Sequence, residues 1–181
     1  SEIENSLNES FYWYLKASKQ GDSQAMLAVA YYYGHGLGTD KNEEKAFEFY
    51  QKALQFGEKE AYYHLGICYL EGKGVKQDKG KAIALLVLVE DQYNLAAYLI
   101  GQYFKEMHDT HEAIRHFKIA IQKEDEEQSL YQLALYGEQG IEISEDEMMD
   151  YLLRSAKKGY SPALVKYAYY LENGIYVDKD Y

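Results

Sequence analysis

The sequence predicts an all-α solenoid built from antiparallel helix pairs, and three observations lead to this prediction. Two amphipathic segments alternate along the 181 residues and recur with a period in the thirties. Such a period with two segments per copy is typical of helix-pair repeat proteins. The chain has a single proline, which suits a mostly helical structure, and apolar residues make up 47% of it, enough for a continuous core.

The first segment of each copy is an apolar stretch that opens on a small residue. Five copies align at successive offsets of 36, 35, 33 and 34 residues, beginning at Ala25, Ala61, Ala96, Ser129 and Ala163. Small residues recur five positions further on, where they would let neighbouring helices approach closely: Ala30, Gly66, Gly101, Ala134 and Ala168. In the loop that follows, Gly72 and Gly74 can take a positive φ and end the helix.

The second segment of each copy is amphipathic and begins at a helix-start signal. In the first copy, "KAFEFYQKALQFG", the residues spaced i, i+3, i+4 and i+7 form one apolar helical face. These residues are Ala46, Phe49, Tyr50 and Ala53. Asp78 precedes the second copy as an N-cap, and Ser144 and Glu147 can form a capping box before the fourth.

The two kinds of segment divide the chain into four full repeats flanked by two partial ones. The full repeats span residues 22–57, 58–93, 94–125 and 126–159, and the third is degenerate because it lacks the Gly-x-Gly loop. The partial repeats span residues 1–21, a second helix, and residues 160–181. Because the chain begins inside a second helix and stops where the next would begin, we expect it to be part of a longer array.

One stretch of the second repeat carries a family resemblance. Residues 61–82 read A-x-x-x-L-G-x-x-Y-x-x-G-x-G-V-x-x-D-x-x-K-A, which resembles the Sel-1-like repeat, a relative of the tetratricopeptide repeat. The match is also good over residues 24–57 and weakens in the later copies. The resemblance implies a right-handed superhelix of antiparallel helix pairs that serves as an adaptor for proteins or peptides.

A second apolar stripe on the first helices marks a candidate binding surface. In the second repeat, Tyr63, Ile67 and Leu70 form a stripe separate from the core-facing residues. The corresponding positions line the concave surface in the related tetratricopeptide fold, so the resemblance implies a tyrosine-lined groove. The candidate partner-binding residues are Leu27, Tyr31, Tyr63, Ile67, Tyr98, Gln102, Tyr131, Leu135, Val165 and Tyr169. Alternatively, these rings fill gaps between repeats, as many of the 21 tyrosines must.

Charge and side-chain chemistry narrow the class of partner. Tyrosine offers a large contact area and a hydroxyl group for peptide carbonyls, so the groove suits a protein or extended peptide. The charged residues expected beside the groove are Glu71, Lys105, Glu106, Glu138 and Glu172. They make the groove mixed to acidic in charge, which favours a ligand with basic or apolar side chains. The net charge of −11 disfavours nucleic acid, and no apolar run is long enough for membrane insertion.

The histidines of "HDTHEAIRH" are the strongest candidates for a metal site, and their spacing argues against one. His111 and His116 are five positions apart, about 140° around a helix. His108 and His111 are three apart, but Asp109 reads as an N-cap that places His108 outside the helix. We therefore expect solvated histidines at a hairpin turn and no metal ligand.

The remaining candidates for chemistry have structural interpretations. His35, between two loop glycines, and His64, on a helix, are each expected to be without a partner. Cys68 lies on a core-facing stripe and is expected to serve packing rather than nucleophilic chemistry. We expect no catalytic residue, no metal and no cofactor.

The resulting prediction is a non-catalytic interaction scaffold that binds a protein or extended peptide in its concave groove. The alternative is a structural module that acts through self-association of its exposed repeat ends or as part of a longer array. Nothing in the sequence identifies the compartment. With no signal or spanning segment visible, the cytoplasm is slightly favoured, although a fragment of a secreted or membrane-anchored protein would look the same.

Overall fold

The computed structural model describes residues 2–176, and within this range it contains ten α-helices and no strand. This confirms the predicted all-α class. The helices are α1 (Glu2–Ser18), α2 (Ser23–His35), α3 (Glu43–Gln55), α4 (Glu60–Glu71), α5 (Lys79–Leu86), α6 (Asn94–Glu106), α7 (Thr110–Ala120), α8 (Glu127–Glu138), α9 (Glu145–Lys157) and α10 (Ser161–Asn173). Among the described residues, no helix combines the length and the hydrophobicity that a membrane-spanning segment requires. The end of the last predicted partial repeat, residues 177–181, lies outside the described residues.

The chain forms two compact units, residues 1–89 (unit 1) and residues 90–181 (unit 2). Unit 1 contains α1–α5 and unit 2 contains α6–α10. In both units each helix packs against its neighbours in chain order, and the most extensive contacts join α2 to α3, α4 to α5, α6 to α7 and α8 to α9. Contacts made mainly between sequential helices are typical of a solenoid of helix pairs.

Side-chain caps begin most of the second helices, as the sequence predicts. The Asp78 carboxylate accepts a hydrogen bond from the backbone N–H of Lys81 at 3.0 Å, and Asn42 caps α3 in the same way. Asp109 caps α7, so His108 lies outside that helix. The Ser144–Glu147 capping box is present at the start of α9. Each cap satisfies backbone donors that the first helical turn leaves unpaired.

The two glycines of the Gly-x-Gly loop have different tasks. Gly72 has φ +73° and ends α4 in the left-handed conformation that the sequence predicts for it. Gly74, with φ +69°, approaches the first turn of α3 so closely that an added Cβ would overlap the carbonyl oxygen of Glu43. Gly38 is packed in the same way against the backbone of Leu7 in α1. In these two loops the second glycine therefore packs closely against the backbone of the preceding second helix.

The core of unit 1 differs in one position from the face predicted for α3. Ala46, Tyr50 and Ala53 are buried as expected, but Phe47 rather than Phe49 completes the buried face. Phe49 is only half-buried, and its ring packs at the edge of the core against Tyr33, with the two ring centroids 5.9 Å apart. The predicted face therefore packs on the core, and Phe47 widens it beyond the four residues of one i, i+3, i+4, i+7 row.

Small residues at the repeated position allow close packing in four of the five copies. Ala30, Gly66, Gly101 and Ala134 are buried. A Cβ added to Gly66 would lie 2.8 Å from the Leu86 side chain, so the two helices of that pair approach more closely than a larger residue would permit. Ala168 is exposed, contrary to the prediction, because no second helix follows α10 within the described residues.

Ser129 is a buried polar residue at a position that other repeats fill with alanine. It is fully buried, and its Oγ has no hydrogen-bond partner among the described residues, whereas the aligned positions in other repeats hold Ala25, Ala61 and Ala163. An unsatisfied buried hydroxyl destabilises the folded state. We therefore expect Ser129→Ala to raise the free energy of unfolding, measured by urea denaturation, by about 1 kcal/mol.

Ser155 is the matched control for this substitution. It is also fully buried in unit 2, but its Oγ donates a hydrogen bond to the backbone carbonyl of Glu127 at 2.7 Å. Ser155→Ala should therefore lower the free energy of unfolding by about 1 kcal/mol. Destabilisation of similar size in both variants would contradict the assignment of Ser129 as an unsatisfied group.

Candidate functional site

Two adjoining clefts in unit 1 form the candidate site. The first cleft, of about 430 Å³, lies among α2, α3 and α4, and its walls include Tyr31, Tyr50, His64 and Ile67. The second cleft, of about 610 Å³, lies among α1, α2 and the start of α4. Tyr31 and His64 line both clefts, so these two side chains form the shared wall between them.

Two tyrosine–histidine ring pairs, one tilted and one stacked, form the aromatic walls of the first cleft. The rings of Tyr31 and His35 have centroids 4.0 Å apart, and Nδ1 of His35 lies 2.9 Å from the Tyr31 carbonyl oxygen. The rings of Tyr50 and His64 are nearly parallel, with centroids 4.6 Å apart. The expectation that His35 and His64 lack partners was wrong, because each ring contacts a tyrosine ring. Tyr31 is four positions from His35 on the same helix, whereas Tyr50 is on a different helix from His64, so spacing along the sequence does not predict that pair.

The charged groups at the first cleft neutralise one another. Lys41 pairs with Glu43 at 2.7 Å, and Lys73 pairs with Glu71. The hydrogen bond from Lys41 lowers the pKa of Glu43, and the same kind of contact from Glu71 raises the pKa of Lys73. The first cleft therefore combines apolar and aromatic walls with a rim that has no unbalanced charge.

The second cleft has a different chemistry. Two carboxylates line it, Asp22 and Glu60, and neither lysine nor arginine is among its lining residues. Tyr14 and Tyr32 contribute rings in an edge-to-face arrangement with centroids 5.7 Å apart. Asp22 also caps α2, and its carboxylate accepts from the backbone N–H of Ala25 at 2.9 Å. The second cleft is thus acidic and aromatic.

The surroundings of His64 lower the pKa of its imidazole. Burial lowers its pKa, the nearby His35 lowers it further, and the carboxylate of Glu60, 3.5 Å away, opposes this shift. Because the pKa of His64 in the folded state lies below that of an unfolded histidine, the unfolded chain takes up more protons than the folded chain does as the pH falls. The free energy of unfolding should therefore decrease between about pH 7 and about pH 5, and His64→Gln should reduce that decrease.

Urea denaturation at the two pH values measures this effect. His111, whose side chain is 73% exposed, provides the matched control variant, His111→Gln. An equal decrease in the wild type and in both variants would contradict the role assigned to His64. The carboxylates with lowered pKa, such as Glu138 and Asp125, are the same in the wild type and both variants, so they do not contribute to the difference between these proteins.

The histidines of the third repeat are located partly as predicted. His108 has φ +60° outside α7, and Nδ1 of exposed His111 lies 3.3 Å from Glu142. His116, expected to be solvated, is buried instead: its Nδ1 lies 2.7 Å from the Glu90 carboxylate and its ring stacks on Phe104. Among the described residues, no three His, Cys, Asp or Glu side chains are grouped in a way that could hold a metal ion.

Cys68 lies on the floor of the first cleft. It is buried, and burial raises the pKa of its thiol to about 11. A protonated thiol is a poor nucleophile. This environment agrees with the packing role predicted for the residue.

In unit 1, three of the four predicted binding residues line the clefts. Tyr31, 46% exposed, lines both; Leu27 lines the second cleft and half-buried Ile67 lines the first. Leu27 is almost entirely buried in the core, and half-buried Tyr63 lines neither cleft. The sequence reasoning missed Tyr14, Asp22, Tyr50 and Glu60, although the i, i+4 spacing of Glu60 and His64 on one helix was an available signal.

In unit 2, the predicted binding residues divide between packing and exposure. The Tyr98 hydroxyl accepts a hydrogen bond from Gln102 at 2.7 Å, and Tyr131 packs edge-to-face on Tyr160. Both tyrosines also pack against the core of the unit, and Leu135 is half-buried. On α10, Val165 is 70% exposed and Tyr169 is 55% exposed.

Comparison with known families identifies the repeat. The model of a family described as Sel1 repeat matches residues 2–22, 23–55, 59–87, 89–125, 128–160 and 161–181. A curated relative, the chitin synthase regulator SKT5 of Saccharomyces cerevisiae, is 40% identical over 48 residues, which is 26% of this chain and 7% of that protein. The matches include the copies whose glycine loop is missing or incomplete.

Solved structures agree with this assignment. c5321, a protective antigen of uropathogenic Escherichia coli with an SLR fold, superposes with a TM-score of 0.76 at 22% identity, covering 93% of this chain and 41% of that one. A Sel1 repeat protein from Oxalobacter formigenes gives 0.75 at 24% identity, covering 89% and 66%. The chain thus spans less than two thirds of the relatives compared. At these identities the likeness shows the fold, an all-α solenoid of helix-pair repeats.

Proposed function

Since the chain belongs to the Sel1 repeat family, whose members generally mediate protein–protein interactions, we propose that it is a non-catalytic scaffold that binds an extended peptide segment of a partner protein. The proposed binding surface is formed by the first helices of its repeats. Within unit 1 this surface consists of the two clefts on either side of Tyr31 and His64.

The observation that carries the proposal is the arrangement of these adjoining clefts. Tyr31 remains 46% exposed although its ring contacts the ring of His35, so a large part of the side chain is available to a ligand. Tyrosine loses little conformational entropy on binding, and here the contact with His35 already restricts the ring of Tyr31. Two concave sites that share an aromatic wall suit successive side chains of one peptide.

The non-catalytic part of the proposal rests on the environment of the reactive groups. The thiol of Cys68 is kept protonated by burial, and the imidazole of His64 stacks on Tyr50 rather than pairing with a nucleophile. The carboxylate of Glu60 lies 3.5 Å from Nε2 of His64 on the same helix, and both residues line the second cleft. These contacts favour recognition by surface complementarity.

A displayed library of random peptides, selected against the full chain, tests the proposal. We expect the selection to enrich related sequences whose binding is lost, by about tenfold or more, in Tyr31→Ala. Tyr12→Ala is the matched control because Tyr12 is 57% exposed on α1 and lines neither cleft. Equal binding by wild type, Tyr31→Ala and Tyr12→Ala, with helicity unchanged, would contradict the proposed site.

A further inference from the structure

The two clefts of unit 1 differ in charge, and this difference indicates which side chains a bound peptide would place in each; the inference rests on the proposed function. In the first cleft, Lys41 is paired with Glu43 and Lys73 with Glu71. A charged ligand group would gain little there because the rim is already neutral. The apolar floor, which includes Ala46 and Cys68, favours an apolar side chain.

The second cleft favours a cation. The carboxylates of Asp22 and Glu60 line it, and no lysine or arginine of the lining opposes them. Tyr14 and Tyr31 are 42% and 46% exposed, so ring surface is available beside the carboxylates. Carboxylates and aromatic ring faces together attract an ammonium or guanidinium group through ion pairing and cation–π contact. The net charge of −11 adds long-range attraction for a basic segment.

We propose that the partner peptide inserts a lysine or arginine side chain into the second cleft and an apolar side chain into the first. The clefts share Tyr31 and His64 as a common wall, so the two anchoring side chains come from positions close together along the peptide. In an extended peptide, residues i and i+2 lie on the same face about 6.6 Å apart. The recognised motif is therefore a basic residue and an apolar residue separated by one position.

A set of blocked, fluorescently labelled heptapeptides tests this motif. Each peptide has a Gly-Ser background, with Arg, Gln or Glu at one position and Leu or Gln two positions away in either direction. Binding to the full chain is measured by fluorescence anisotropy. We expect the Arg and Leu peptide to bind best, and added salt to weaken its binding more than that of the Gln and Leu peptide.

Charge-removing variants assign the basic side chain to its cleft. Glu60→Gln should reduce the preference for Arg over Gln about fivefold while leaving the preference for Leu over Gln unchanged. Glu48→Gln is the matched control, because Glu48 is an exposed carboxylate of α3 that lines neither cleft. Asp22 is unsuitable for this comparison since its carboxylate also caps α2.

The possible results separate this inference from the proposed function. Peptides that bind with a preference for Glu or Gln over Arg would overturn the inference and leave peptide binding intact. Equal effects of Glu60→Gln and Glu48→Gln would overturn the assignment of the basic side chain to the second cleft. Failure of every peptide, together with no enrichment from the random library, would contradict the proposed function and the inference with it.

Discussion

Gly74→Ala is expected to lower the free energy of unfolding by about 3 kcal/mol, measured by urea denaturation. The substitution combines two penalties. The φ of +69° at position 74 is unfavourable for any residue with a Cβ, and the Cβ of the alanine would overlap the carbonyl oxygen of Glu43. Because that oxygen belongs to the backbone of α3, relief requires the loop to move away from the preceding second helix.

Gly72→Ala separates these two penalties. Gly72 lies in the same loop with a φ of +73°, but its added Cβ would have its nearest neighbour at 3.4 Å, an ordinary contact distance. We expect this variant to lose only about 1 kcal/mol, the cost of the left-handed conformation. Similar losses in the two variants would show that the approach of Gly74 to α3 contributes nothing to stability.

Phe117→Ala is expected to lower the free energy of unfolding by about 4 kcal/mol. Phe117 is fully buried in unit 2, where its ring packs between Tyr98 and Tyr136 and lies against Gly101. Its removal leaves a cavity lined by two helix pairs of the core. The loss should appear as a lower urea midpoint in circular dichroism.

Phe56→Ala is the comparison for this substitution. Phe56 is 58% exposed at the end of α3, so its removal should cost less than about 1 kcal/mol. A small effect of Phe117→Ala, close to that of Phe56→Ala, would contradict the packing of α6 and α7 around the Phe117 ring.

The repeat pattern predicted much of the fold because its signals are local. The N-caps at Asp78 and Asp109, the capping box at Ser144 and the left-handed Gly72 each depend on a few adjacent residues. The period of the alternating segments then determines which helices are neighbours. These features are readable in one dimension, and the structure confirms them.

The fourth and fifth copies show that the loop conformation persists without its second glycine. Glu142, at φ +53°, and Tyr176, at φ +56°, each follow a glycine by two positions, as Gly38 and Gly74 do in the first copies. The left-handed conformation is retained although the residue that favours it is not. The sequence lacks the second glycine in these copies, whereas their loops keep the left-handed conformation at that position.

The candidate site was predictable only in part because its chemistry depends on contacts between helices. Tyr31 and Ile67 follow from the apolar stripe on the first helices. The stacking of Tyr50 on His64 joins α3 to α4, and the second cleft is acidic because Asp22 and Glu60, 38 positions apart in the sequence, both line it. Buried His116 likewise contacts Glu90, which is 26 positions away in the sequence. Neither periodicity nor spacing reports such pairings.

An amide chemical-shift titration of the full chain with a peptide selected from the library tests most directly whether unit 1 binds its partner in the two clefts. We expect the largest shift changes at Tyr31, Glu60 and His64, with none at Tyr12 and none caused by a scrambled peptide. Changes confined to α10 or to other surfaces, with α2 and α4 unaffected at saturation, would contradict binding in these clefts.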